Sequence, residues 1–360
     1  MHSYSDKVQP AWRHTLARSC LQSGVSLVEL MIGLMIGTLL IGAVLLVFSQ
    51  SRSTYQLNDG LGRLQENGRI AIDMMAEDLR MVGFIGCRRL KSHLPAAGTG
   101  SISASSINFS TQFTDAVAAS VGISAGSLNF RTTHGFVFPP HLDGQLIGTD
   151  SFVVLSGDNE IGLDEEMANP AAAIKTEAVV PAGPAIISDC QYDNDLVVSE
   201  SPPTGIPAPA EAFMVSTSSN EIDHTGQAFR RSYGIDATVT PIRAVSYSIR
   251  NSASAGIPAL FRNDDELVAG ASNLCVRYGL ARNSDNAEVG DFVAEGGVTD
   301  WRQVVAVRLE LLLATEENVL APGEATQTLD FCDESFSPDD RRLYRVFTTT
   351  VGLRNQISPN

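Results

Sequence analysis

Three groups of residues in this 360-residue chain have types and spacing that could do chemistry. The first is GISAG, residues 122–126, which has the G-x-S-x-G spacing that exposes a nucleophilic serine, Ser124. That mechanism needs a strand–turn–helix around the serine, with an acid and then a histidine further on. His134, His141 and His224 are available, but SLNFRTT, residues 127–133, follows the motif with the pattern of a strand. Ser124 therefore reads as a loop serine. A membrane-anchored extracytoplasmic hydrolase is the one catalytic reading that the motif would support, and no enzyme is expected. The second group is two acidic clusters, Asp189 with Asp193 and Asp195, and Asp264 with Asp265 and Glu266. Such clusters can hold calcium, but neither has the glycine turn of an EF-hand loop, and both read as solvated surface charge. With no P-loop, dinucleotide fingerprint or HExxH, and with scattered histidines, neither a metal nor a cofactor is expected.

The third group is the cysteines and one carboxylate. Cys20, Cys87, Cys190, Cys275 and Cys332 form no CxxC and no Cys/His metal spacing. Cys20 precedes a long apolar run and the other four follow it, so export of the body would give two disulfides with three connectivities open. The alternative is four unrelated buried thiols. The carboxylate is Glu29, inside the apolar run itself. A carboxylate in a membrane span costs a few kcal/mol unless paired, which makes Glu29 a functional candidate.

These residues need elements to position them. Residues 25–48 are apolar apart from Ser26, Glu29 and Thr38. About 24 residues of helix reach roughly 36 Å, enough to cross a bilayer core. Lys7, Arg13 and Arg18 precede the span and Arg52 is the first charge after it, which puts the start in the cytoplasm and the body outside. The span is too long for a cleaved secretory signal, and no small-x-small site follows it. The net charge is −16, and the +2 of residues 1–24 leaves −18 for the rest. So acidic a body argues against nucleic-acid binding.

Gly24 stands five residues before Glu29, and SGVSLVELMIGLMIG resembles the class III signal of type IV pilins and type II secretion pseudopilins. The resemblance implies that a prepilin peptidase cuts between Gly24 and Val25 on the cytoplasmic face and methylates Val25. It makes Glu29 the acidic assembly residue at mature position five, paired with the amino terminus of a neighbouring subunit. Val25 departs from the phenylalanine usual at the first mature position.

Beyond the span, Leu57, Leu61, Leu64, Gly68, Ile72, Met75, Leu79 and Val82 recur at steps of three or four, the spacing of one helix face. Asp59, Arg63, Glu66, Arg69, Asp73, Glu77, Asp78 and Arg80 mostly decorate the other faces, and the pattern fades at 83–87. From residue 94 short β-rich runs alternate with turn signals, among them SFVVLSG, AVSYSIRN, LCVRYGL and QVVAVRLELLL. Val304, Ala306, Arg308 and Glu310 alternate with Val305, Val307, Leu309 and Leu311 as in a half-buried strand. The expected class is α+β: a long N-terminal α-helix, transmembrane in its first half and amphipathic in its second, packed on an antiparallel β-rich globular domain. The expected segments are a leader at 1–24, the helix at 25–90 with its span at 25–48, and an extracytoplasmic body at 91–360, in two lobes or one with a joint near 202–212.

Residues 63–87, 266–280, 300–313 and 339–355 resemble PilW-type minor pilins of the type IV pilus. The resemblance implies a protein that primes pilus assembly from the inner membrane and ends at the pilus tip, on the cell surface. Its implied partners are the prepilin peptidase, other minor pilins, the major pilin and a large tip adhesin, and the implied phenotypes are twitching motility and adhesion. A GspJ-like minor pseudopilin of a type II secretion system shares the general plan. Cys87 with Cys190 and Cys275 with Cys332 is the expected disulfide pairing.

Overall fold

The computed structural model describes residues 24, 26–84, 86, 105–107, 137–138, 142, 144–189, 196–198, 210–224, 229, 231–282, 288–299, 301–320 and 327–354. The chain divides into two compact units, Met1–Thr54 and Tyr55–Asn360. Helix α1, Leu27–Arg80, has residues in both. In the first unit it is apolar and exposed on all sides.

In the second unit α1 buries one stripe: Leu64, Gly68, Ala71, Met75, Ala76, Asp78 and Leu79. Steps of three and four put these residues on one side of a 3.6-residue helix. The helix stops at Arg80, before the 83–87 stretch where its pattern fades and before the segment end expected at 90. Gly83 is the reason. It takes a left-handed φ of 74°, which a glycine adopts without steric cost, and its N–H donates to Leu155 O at 3.2 Å. Gly157 N–H then donates to Phe84 O, so the chain passes from helix to sheet within a few residues.

The strands that follow are β1 (Ser105–Ile107), β2 (Val137–Phe138), β3 (Phe152–Gly157), β4 (Ile161–Gly162), β5 (Ile174–Val180) and β6 (Gly183–Asp189). Next come β7 (Leu196–Val198), β8 (Ala210–Val215), β9 (Ser219–Ile222), β10 (Ala237–Asn251), β11 (Pro258–Arg262) and β12 (Asp265–Ala269). The last are β13 (Ala271–Ala281), β14 (Val289–Val293), β15 (Val304–Ala314), β16 (Leu329–Phe331), β17 (Glu334–Phe336) and β18 (Tyr344–Gly352). An eight-stranded sheet contains the path β12-β11-β10-β3-β2, with β4 and β6 also on β10 and β8 on β6. A four-stranded sheet has the order β14-β13-β15-β18. The pairs β5-β9 and β16-β17 complete the antiparallel set, and β1-β7 is a parallel exception.

The α+β expectation is borne out: one long apolar helix precedes an antiparallel β-rich body. The main core joins the buried stripe of α1 to Phe152 and Val154 of β3, Val245 and Ile249 of β10, Leu274 and Val276 of β13, and Leu309 and Leu311 of β15. A second core gathers Ile174, Ile187, Phe213, Phe229, Tyr233 and Val239. Strand β10 serves both, because its first residues pair with β6 and β4 and the rest with β3 and β11. Pro241, which lacks an N–H, falls where β10 changes partners.

One strand differs from its expected exposure. Both faces of β15 are largely covered, with only Arg308 and Glu310 half-buried. Val307, Leu309, Leu311 and Leu313 face the main core, while Leu312 and Ala314 lie in a third cluster with Phe331 and Tyr344. The hairpin β16–β17 covers the face that simple alternation would leave to solvent.

Candidate functional site

In the first unit the site is built on the start of α1. Ser26 O accepts the N–H of Leu30 at 3.1 Å, so helical bonding begins two residues after Gly24. Glu29 lies in the first turn, where the unpaired N–H groups of a helix favour a carboxylate. It is exposed and has no partner among the described residues. Around it Leu27 is 74% exposed and Leu30 57%, and the outward apolar run continues to Phe48. The segment is long and apolar enough to cross a membrane. Such a surface is stable only under lipid or other apolar helices, and a carboxylate within it needs a cation.

The second unit treats a carboxylate of the same helix in the opposite way. Asp78 is 6% exposed. It accepts the Tyr247 hydroxyl at 2.5 Å and two N–H groups of Arg262, at 2.9 and 3.2 Å. Arg243 Nη2 stands 3.7 Å away. Burial, reinforced by Asp78, pushes the Tyr247 phenol well up, and the hydrogen bond to Asp78 pushes Arg262 up. Both therefore stay protonated and hold the helix end to β10 and β11. Sequence reasoning put Asp78 among the outward charges, and the structure corrects that. The signal was its place beside Met75 and Leu79 on the apolar stripe, where a charge needs an internal partner.

Two glycines let the helix approach its neighbours. A methyl group on Gly68 would stand only 2.3–2.5 Å from atoms of the Phe347 ring of β18, a clash, and one on Gly60 would meet Thr315 and Val319 side chains at 3.2 and 3.3 Å. Glycines 33, 37 and 42, on the exposed half, face open space.

Cys275 and Cys332 form a disulfide with a Cα–Cα separation of 5.7 Å, one of the two pairs expected. Cys332 and Asp333 make the two-residue turn of β16–β17, both at positive φ. Glu310 accepts the Cys332 N–H at 2.8 Å, and Arg277 donates to Asp333 and to Cys332 O. The hairpin tip is thus fixed to β13 and β15. The Asp150 carboxylate lies within 4.8 Å of both sulfurs, but disulfide sulfurs offer no thiolate to a metal.

The other flagged residues do not converge. His224 is buried, with Nε2 at 2.7 Å from Ala172 O and its ring on Phe229. Asp189 is paired with Arg231. Asp264 reaches Arg250 from an exposed turn, and Asp265 and Glu266 begin β12. Val25, residues 1–23 of the leader with Cys20, Cys87, Cys190, Ser124, His134, His141, Asp193, Asp195 and residues 202–209 lie outside the described residues.

An exposed apolar helix carrying one carboxylate, continued by a stem held to a β-rich body, defines the class: a protein with a candidate N-terminal membrane segment and a globular domain. Residues 246–355 match the family described as Type IV Pilus-assembly protein W. This supports a protein related to type IV pilus assembly. The match begins within β10 and takes in β11 to β18, so it contains Tyr247, Arg262, both disulfide cysteines and Phe347, but not α1. No curated protein and no solved structure matched the chain.

Proposed function

We propose that this protein is a PilW-type minor pilin without catalytic activity. A prepilin peptidase removes residues 1–24 and methylates Val25. The apolar half of α1 holds the subunit in the inner membrane with its body in the periplasm, and later packs among the helices of the filament. Glu29 pairs there with the new amino terminus of a neighbouring subunit. The protein joins other minor pilins to prime assembly and stays at the tip of the pilus, next to the major pilin and a large adhesin.

The observation that carries this reading is the pairing of an unpartnered Glu29 on a fully exposed apolar helix with a C-terminal match to a pilus-assembly family. A plain anchor has no use for a carboxylate in its span. Mass spectrometry of the protein from its own membranes is the test. N-methyl-Val25 as the first residue is expected, and an intact Met1 in cells with an active peptidase would overturn the proposal. Deleting the gene is expected to abolish surface pili and twitching with protein secretion intact. Loss of secretion with normal pili would move the protein to the type II secretion filament.

A further inference from the structure

The four-stranded sheet ends on β18, whose outer edge pairs with no strand among the described residues. Leu353 donates its N–H to Val305 O, and Leu343 O accepts the N–H of Thr315. Odd-numbered residues along β18 therefore bond to β15, and even-numbered ones turn their backbone groups outward. Tyr344, the first of these, gives its N–H to Gln327 Oε1 at 2.8 Å. The N–H and C=O groups of Val346, Thr348, Thr350 and Gly352 have no partner among the described residues.

Such edges invite pairing, and proteins normally blunt them with charge, bulges or short length. Three other edge strands are blunted. Strand β12 carries Asp265 and Glu266 and pairs through a bulge, β14 carries Asp291 and pairs through a register break, and β8 carries Glu211. Strand β18 keeps register with β15 over its whole nine-residue length, without a bulge, a proline or an acidic residue. Its surroundings are also unlike the rest of the chain. Residues 341–354 contain Arg341, Arg342, Arg345 and Arg354 and no carboxylate, in a protein of net charge −16. Only Arg342 of the four has a carboxylate partner among the described residues, Asp340.

We propose that the edge of β18 is a docking site for an extended acidic segment of a partner protein, which adds as a further strand beside Thr348 and Thr350. The free backbone groups supply the affinity of strand addition, and the arginines at both ends select an acidic segment. The inference goes beyond the pilus reading and does not depend on it, since the state of Val25 has no bearing on this edge.

The test uses the full-length protein in detergent micelles and a labelled synthetic peptide, Glu-Thr-Val-Thr-Val-Thr-Glu, followed by fluorescence anisotropy. Saturable binding is expected, with slower amide exchange at Val346, Thr348 and Thr350. A peptide with lysine in place of glutamate should bind at least about tenfold more weakly. Thr348→Pro removes an outward N–H but no bond to β15, so it should weaken binding about tenfold while the protein still folds. Arg345→Glu should weaken it comparably and decides the question if Thr348→Pro melts early. No saturable binding, or binding indifferent to Arg345→Glu and without slowed exchange along the edge, overturns the proposal. Self-association of the protein that Thr348→Pro abolishes would also overturn it, by making a second copy the occupant.

Discussion

Two of the six carboxylates of helix α1, Glu29 in its first half and Asp78 in its second, meet opposite surroundings. Glu29 stands exposed among apolar side chains with no partner among the described residues, whereas Asp78 is buried and takes three hydrogen bonds from Tyr247 and Arg262. Glycines 33, 37 and 42 face open space, as does Gly62 of the second half, whereas Gly60 and Gly68 meet side chains. The chemistry of the residue types is the same in both halves. What differs is whether the chain supplies the partner. The second half is completed by its own sheets, and the first half meets no such partner among the described residues.

The largest effect that would break this contrast is at Asp78. Asp78→Ala leaves Arg262 and Tyr247 without their acceptor, and chemical denaturation should show a loss of about 3–5 kcal/mol. Glu29→Ala in the same measurement should change stability by less than about 0.5 kcal/mol, while incorporation into pili falls sharply. Equal stability losses in the two variants would erase the contrast. The disulfide is next. Cys275→Ser with Cys332→Ser should cost about 2–4 kcal/mol and raise proteolysis at the β16–β17 hairpin, read by denaturation and limited digestion.

The glycines sharpen the comparison further. Gly68→Ala should destabilise by about 1–3 kcal/mol because Phe347 must move, and Phe347→Leu in the same chain should recover part of the loss. Gly37→Ala should leave the melting temperature of the body unchanged. The smallest effect is on pH. Tyr247 is pushed up in the folded protein, and Tyr344 is pushed up to about 12. A raised folded value means that the stabilisation is complete below the unfolded phenol range and is lost as pH rises above it. Stability should therefore not change through these phenols between about pH 6 and 9, and should fall above about pH 10. Tyr247→Phe should flatten part of that alkaline fall, and an unchanged slope in titrated denaturation would remove Tyr247 from the network's role.

Much of this was legible in the chain. The step of three and four from Leu64 to Leu79 marked the buried stripe, and the β-branched runs marked β3, β13, β15 and β18. The length of β10 was not legible, because Ala237–Asn251 contains a proline and draws on four partner strands. The covered face of β15 was hidden for a similar reason: its cover, β16–β17, is two three-residue strands with little pattern of their own.

The sequence by itself determined the apolar span, Gly24 five residues before Glu29, the stem and the β-rich class. Those are local properties, since periodicity and spacing act along the chain. Tertiary structure alone decided that Asp78 is a buried anchor, that Gly68 seats Phe347, and that β18 is an edge strand among the described residues. Each depends on which distant segment arrives beside it, and that is set by packing between elements far apart in the chain.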